Sequence, residues 1–100
     1  MSAVQITDRI VANPKVRGGR PYIRGTTVTV ADVIIARLYH GLDADDIAAW
    51  YGLSLPEVYT ALAYYYDHKD DMDRQIKEQI QRAERLKEEH LARQASLLPR

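Results

Sequence analysis

The segment from Ala44 to Ala63 constrains the fold more than any other stretch, because it has the spacing of two helices that cross at a tight turn. Ile47, Ala48, Tyr51, Gly52, Leu53, Val58 and Ala61 stand where a helix-turn-helix unit needs them. A small residue lets the helices approach, a glycine makes the turn, and apolar side chains fill the crossing. No Lys or Arg occurs between Arg37 and Lys69, whereas a helix that enters a DNA groove ordinarily meets phosphate through cations. Two readings stand side by side. One puts Ser54, Glu57, Tyr59 and Thr60 near DNA; the other makes the unit a packing element that supports a dimer. Asp43, Asp45, Asp46, Glu57 and Asp67 give it a charge of −5, which repels phosphate and favours the packing reading.

The flanking residues extend the pattern. Ile6 to Ala12 is a short run with β-branched residues that ends at Asn13-Pro14. Tyr22-Ile23 and Thr26 to Val30 read as strand, and Gly25 between them suggests a bulge or a close backbone approach. Thr29 and Asp32 have capping-box spacing ahead of a first helix through Tyr39, which Gly41 can end. Asp43 caps a second helix that stops at Gly52; Ser54 and Glu57 form another capping box, and Pro56 is tolerated in the first turn of a third helix running to about Asp67. Asp70, Asp71 and Asp73 suit the positive end of a fourth helix, free of Gly and Pro until Pro99. About 25 residues at 1.5 Å each make it roughly 38 Å long. The expected fold is mainly α with a small N-terminal β-hairpin, a three-helix helix-turn-helix-like core and a long C-terminal helix. Residues 1–68 form the hairpin and dimerisation domain, and 69–100 the partner-binding helix.

Helices one and three have apolar residues on too many sides for one small bundle to bury. The surplus points to a second copy, with Val33, Ile35, Leu55, Tyr59, Leu62 and Tyr66 as the expected homodimer interface. Seven tyrosines and no Phe suit half-wet contact surfaces.

A net charge of zero conceals three regions: +4 over residues 1–40, −7 over 41–73 and +3 over 74–100. Lys15, Arg17, Arg20 and Arg24 in the basic head are the candidate DNA contacts. The competing reading is a solvated hairpin whose arginines pair with acids of the same or a second subunit. In the tail, Met72, Ile76, Ile80, Ala83, Leu86 and Leu91 fall on one helical face, punctuated by Gln79, Lys87, His90 and Gln94. That stripe is too weak for a self-sufficient coiled coil. It fits helix-in-groove binding to a partner, or packing back on its own domain or on its dimer mate. Glu78–Arg82 and Glu89–Arg93 support the helix as i,i+4 pairs.

Asp67, His68, Asp70, Asp71 and Asp73 read as a helix junction rather than a metal site. There is no cysteine, the three serines lack a nucleophile motif and the three histidines are dispersed, so neither an enzyme nor a cofactor is expected. No run of 18 apolar residues is present, and the start lacks a basic-then-apolar leader. A cytoplasmic protein is the expectation.

Gly18-Gly19-Arg20-Pro21-Tyr22-Ile23-Arg24-Gly25-Thr26, Val28-Thr29-Val30, Gly41-Leu42, Leu53-Ser54-Leu55-Pro56-Glu57-Val58, Ala61-Leu62-Ala63-Tyr64-Tyr65 and Asp67-His68 resemble the small bacterial proteins of domain-of-unknown-function family 433. The resemblance covers roughly residues 6–75. The family pattern has Gly-Thr-Arg where this chain has Gly25-Thr26-Thr27. Members look like VapB-type antitoxins paired with a toxin of PIN-like nuclease fold. The resemblance therefore implies a type II toxin–antitoxin function: a dimer whose C-terminal extension neutralises a PIN-like ribonuclease toxin, with operator DNA binding and autorepression as a further role. PIN-like nucleases hold metal with clustered carboxylates, and an arginine fork can bond a carboxylate in two places. Arg82, Arg85, Arg93 and Arg100 are available for that. The alternatives are a DNA-binding transcription regulator without a toxin and a structural dimerisation module.

Overall fold

A computed structural model describes residues 4–5 and 9–97. Three short strands, β1 (Val4–Gln5), β2 (Ile10–Ala12) and β3 (Tyr22–Ile23), form an antiparallel sheet in that order. Ile10 faces Ile23 across the β2–β3 register, and both are fully buried. Asn13 accepts the Val16 N–H at its carbonyl and the Lys15 N–H at its side chain, and so turns the chain. Arg17, Gly18 and Gly19 then all take positive φ. Arg17 is the only non-glycine residue described that does so.

Thr26–Val30 does not form the continuous strand that its β-branched residues suggest. Thr26 donates its hydroxyl to the Ile23 carbonyl at 2.8 Å and accepts the Val28 N–H at 3.0 Å. These local bonds compete with a ladder, leaving one bridge, Tyr22 to Thr29. Gly25 serves a turn at φ 82°, with open space where a Cβ would stand, so no close backbone approach is involved.

Helix α1 (Val30–Ile34) starts at the Thr29–Asp32 capping box, with both reciprocal bonds made. It continues as a π-helical turn, Ile35–Tyr39, closed by the His40 N–H to the Ile35 carbonyl. Ile34 is fully buried, whereas Leu38 in the π turn is half exposed. Helix α2 (Ala44–Tyr51) is capped by Asp43 and ends at Gly52, φ 68°. Helix α3 (Leu55–Asp67) opens with the Ser54–Glu57 capping box and Pro56 in the first turn. Helix α4 (Lys69–Leu97) has 29 residues, about 44 Å at 1.5 Å each. The result is a helix-turn-helix-like multi-helix fold with an N-terminal hairpin.

One core joins the sheet to all four helices. Ile10, Ile23, Val30, Val33, Ile34, Ile47, Val58 and Ala61 pack with Met72 and Ile76 of α4. The division expected between residues 68 and 69 thus falls inside this core. Beyond Ile80 the helix stands clear of the body, and the molecule measures 56 × 32 × 25 Å. No helix among the described residues is long and apolar enough to cross a membrane.

Candidate functional site

The basic head holds two of its four candidate cations internally. Arg17 donates to Asp32 Oδ2 at 2.9 Å and to the Thr27 carbonyl at 3.0 Å. Arg20 donates to Gln79 Oε1 at 3.4 Å, and Gln79 Nε2 donates to Asp32 Oδ1 at 2.9 Å. Asp32 therefore ties the hairpin, the α1 N-terminus and α4 together. Burial pushes its carboxyl up, but hydrogen bonds from Arg17, Gln79 and the Thr29 N–H outweigh that and hold it below its ordinary value. The sequence identifies Asp32 as a cap partner; its link to Gln79, 47 residues on, has no local signal. The side chains of Lys15 and Arg24 are exposed and make no bond among the described residues.

The expected dimer residues separate into three places. Val33 is fully buried in the core, because it lies on the α1 face turned toward α3, and so it cannot meet a partner. Ile35 borders an apolar notch of about 350 Å³ with Tyr39, Ile80 and Ala83, where α4 leaves the body. Leu55, Tyr59, Leu62 and Tyr66 share a stripe of α3, and the first, second and fourth are exposed. Leu38, part of the apolar surplus of the first helix, and Trp50 are also exposed.

The tail stripe divides as well. Met72 and Ile76 are core residues, so the first two turns of α4 pack on their own domain and are not offered to a partner. Ile80 is half-buried against the body. From residue 81 to residue 96 every residue is exposed, Ala83, Arg82, Arg85 and Arg93 included, and Leu86 and Leu91 are 59% and 53% exposed.

Two of the acids at the α3–α4 junction, Asp71 and Asp73, are engaged locally. Asp73 accepts the Tyr65 hydroxyl at 2.6 Å and the Lys69 ammonium at 2.8 Å, and Asp71 pairs with Arg74. The bond to Asp73, then burial, raises the Tyr65 phenol; bonds from Lys69 and then Tyr65 lower the Asp73 carboxyl. His68 stacks on Tyr64 at 4.1 Å. No group of three His, Cys, Asp or Glu suited to a metal occurs among the described residues.

The class that emerges is a small helix-turn-helix-like domain with a β-sheet head and a projecting C-terminal helix. A family model described as "Protein of unknown function (DUF433)" matches residues 10–65, and the chain belongs to that family. No curated protein and no solved structure matches it. The matched stretch runs from β2 into α3 and ends before α4 begins.

Proposed function

We infer that this chain is the antitoxin of a type II toxin–antitoxin pair, of VapB type, which neutralises a PIN-like ribonuclease through the outer half of α4. The observation that carries this reading is the run of exposed residues from 81 to 96, with Leu86 and Leu91 uncovered. Isolated helical segments of this length are marginal in water, and the two i,i+4 pairs add only a few tenths of a kcal/mol each. An amphipathic helix so placed suits a groove on another protein. Arg82, Arg85 and Arg93 ride on the same segment. Their planar guanidinium groups match carboxylates in pairs, and a PIN-like site is a carboxylate cluster. In this reading the body, through about residue 80, forms a homodimer, and the tail occupies the toxin. Operator contact and autorepression fall to Lys15 and Arg24. The chain acts in the cytoplasm without a cofactor and without catalysis of its own.

The test is co-expression with the adjacent open reading frame. The full chain should co-purify with that product and suppress its ribonuclease activity. Leu86→Glu combined with Leu91→Glu, and separately a chain ending at Ile80, should lose both effects while keeping a cooperative thermal transition. Inhibition that survives in the shortened chain excludes the tail as the neutralising element.

A further inference from the structure

Helix α3 has two apolar faces. Val58, Ala61 and Tyr65 face the core. Leu55, Tyr59, Leu62 and Tyr66, spaced by four, three and four residues, line a second stripe. Leu38, in the π turn that follows α1, borders one groove of about 370 Å³ with Tyr59, Leu62 and Tyr66. Leu38 is 51%, Tyr59 58% and Tyr66 63% exposed. Arg37 and Asp43 line the same groove. Arg37 is the sole Lys or Arg between Arg24 and Lys69, and no ion pair joins it to Asp43 among the described residues.

We propose that a second copy of this chain covers the groove across a two-fold axis, with Arg37 of each copy opposite Asp43 of the other. A two-fold interface sets a patch against itself. It is self-complementary in charge only if the patch carries both signs, and this one places its single cation beside an unneutralised carboxylate. Leu38, Leu55, Tyr59 and Tyr66 stand 40–63% exposed, and large apolar side chains left uncovered together on a small domain mark a contact surface. The tail beyond Ile80 takes no part, so it stays open to another protein. The inference deepens the homodimer element of the proposed function and gives it a surface.

Sedimentation equilibrium on the full chain alone, at micromolar concentrations, tests it. The wild type should weigh twice the chain mass. Tyr59→Glu and Leu38→Glu should each give the monomer mass with unchanged helical circular dichroism, whereas Leu86→Glu should remain a dimer. Arg37→Asp should weaken association at least tenfold, and adding Asp43→Arg should restore most of it. Because Asp43 caps α2, Asp43→Asn, which keeps a capping side chain, should weaken association several-fold with the melting curve intact. A monomeric wild type, a dimer that survives Tyr59→Glu, or a folded charge-swapped double variant that stays monomeric overturns the assignment. No toxin enters the experiment, so its failure leaves toxin neutralisation standing, and lost toxin capture leaves this interface standing.

Discussion

Asp32 bonds to three separate parts of the chain: the Thr29 N–H, the Arg17 guanidinium and the Gln79 amide. Asp32→Asn keeps a cap but removes the charge from a side chain only 13% exposed, so the loss should be about 1–2 kcal/mol. For a chain of this size that is a fall in Tm of about 4–16 °C at neutral pH. The pH dependence has a definite sign. The folded carboxyl lies below its unfolded value of 3.8, so its stabilisation is complete above that value. It is lost as pH falls through the depressed folded value. Melting curves for wild type and Asp32→Asn should therefore converge below pH 4, and a gap that persists in strong acid contradicts this role. Arg17 adds a second residue-scale test, because it sits at φ 49°. Arg17→Ala loses the guanidinium and keeps a conformation that L side chains disfavour; Arg17→Gly loses the guanidinium and relieves it. The glycine variant should be the more stable of the two by up to about 1 kcal/mol, read from denaturant midpoints.

Among the elements, α4 changes role along its length. Met72 is 1% exposed, and Met72→Ala should cost about 2–5 kcal/mol through the cavity it leaves. Leu86→Ala, on the projecting half, should stay within about 0.5 kcal/mol. Chemical denaturation of both variants measures the contrast directly. The sequence shows Met72 and Leu86 as members of one stripe, because helical spacing reports a shared face and not what lies against it. The same limit explains α1: its start at Thr29–Asp32 was legible, but the π turn at Ile35–Tyr39 was not. A hydrophobic pattern cannot distinguish a four-residue from a five-residue repeat over a single turn. What could be read was local. The Ser54–Glu57 box, the Asp43 cap and the Gly52 turn each depend on residues three or four apart, and each formed where the sequence put it. The Thr26–Val30 strand failed for a local reason too, since the Thr26 hydroxyl bonded to the turn instead of leaving the backbone free for a ladder.

At the scale of the whole molecule the question is how much of the head's positive charge can reach a phosphate. The sequence offers Lys15, Arg17, Arg20 and Arg24 as equals, but Arg17 is held by Asp32 and Arg20 by Gln79. The α2–α3 stretch, with five acids and no Lys or Arg from Asp43 to His68, adds a field that repels phosphate. A dimer would thus present two uncommitted head cations per copy, Lys15 and Arg24. Counterion release then limits the slope of log affinity against log salt to about −3.6, against about −7 if all four took part. Binding to the chain's own upstream DNA, followed by fluorescence anisotropy over a salt series, measures that slope. Lys15→Ala or Arg24→Ala should each flatten it by about 2 in a dimer, because every substitution is made twice. Arg17→Ala should leave it nearly unchanged and act on stability instead. A slope near −7, or an Arg17→Ala effect equal to that of Arg24→Ala, would mean that the Asp32 network opens when DNA binds. Affinity that does not vary with salt would remove the head from DNA recognition altogether.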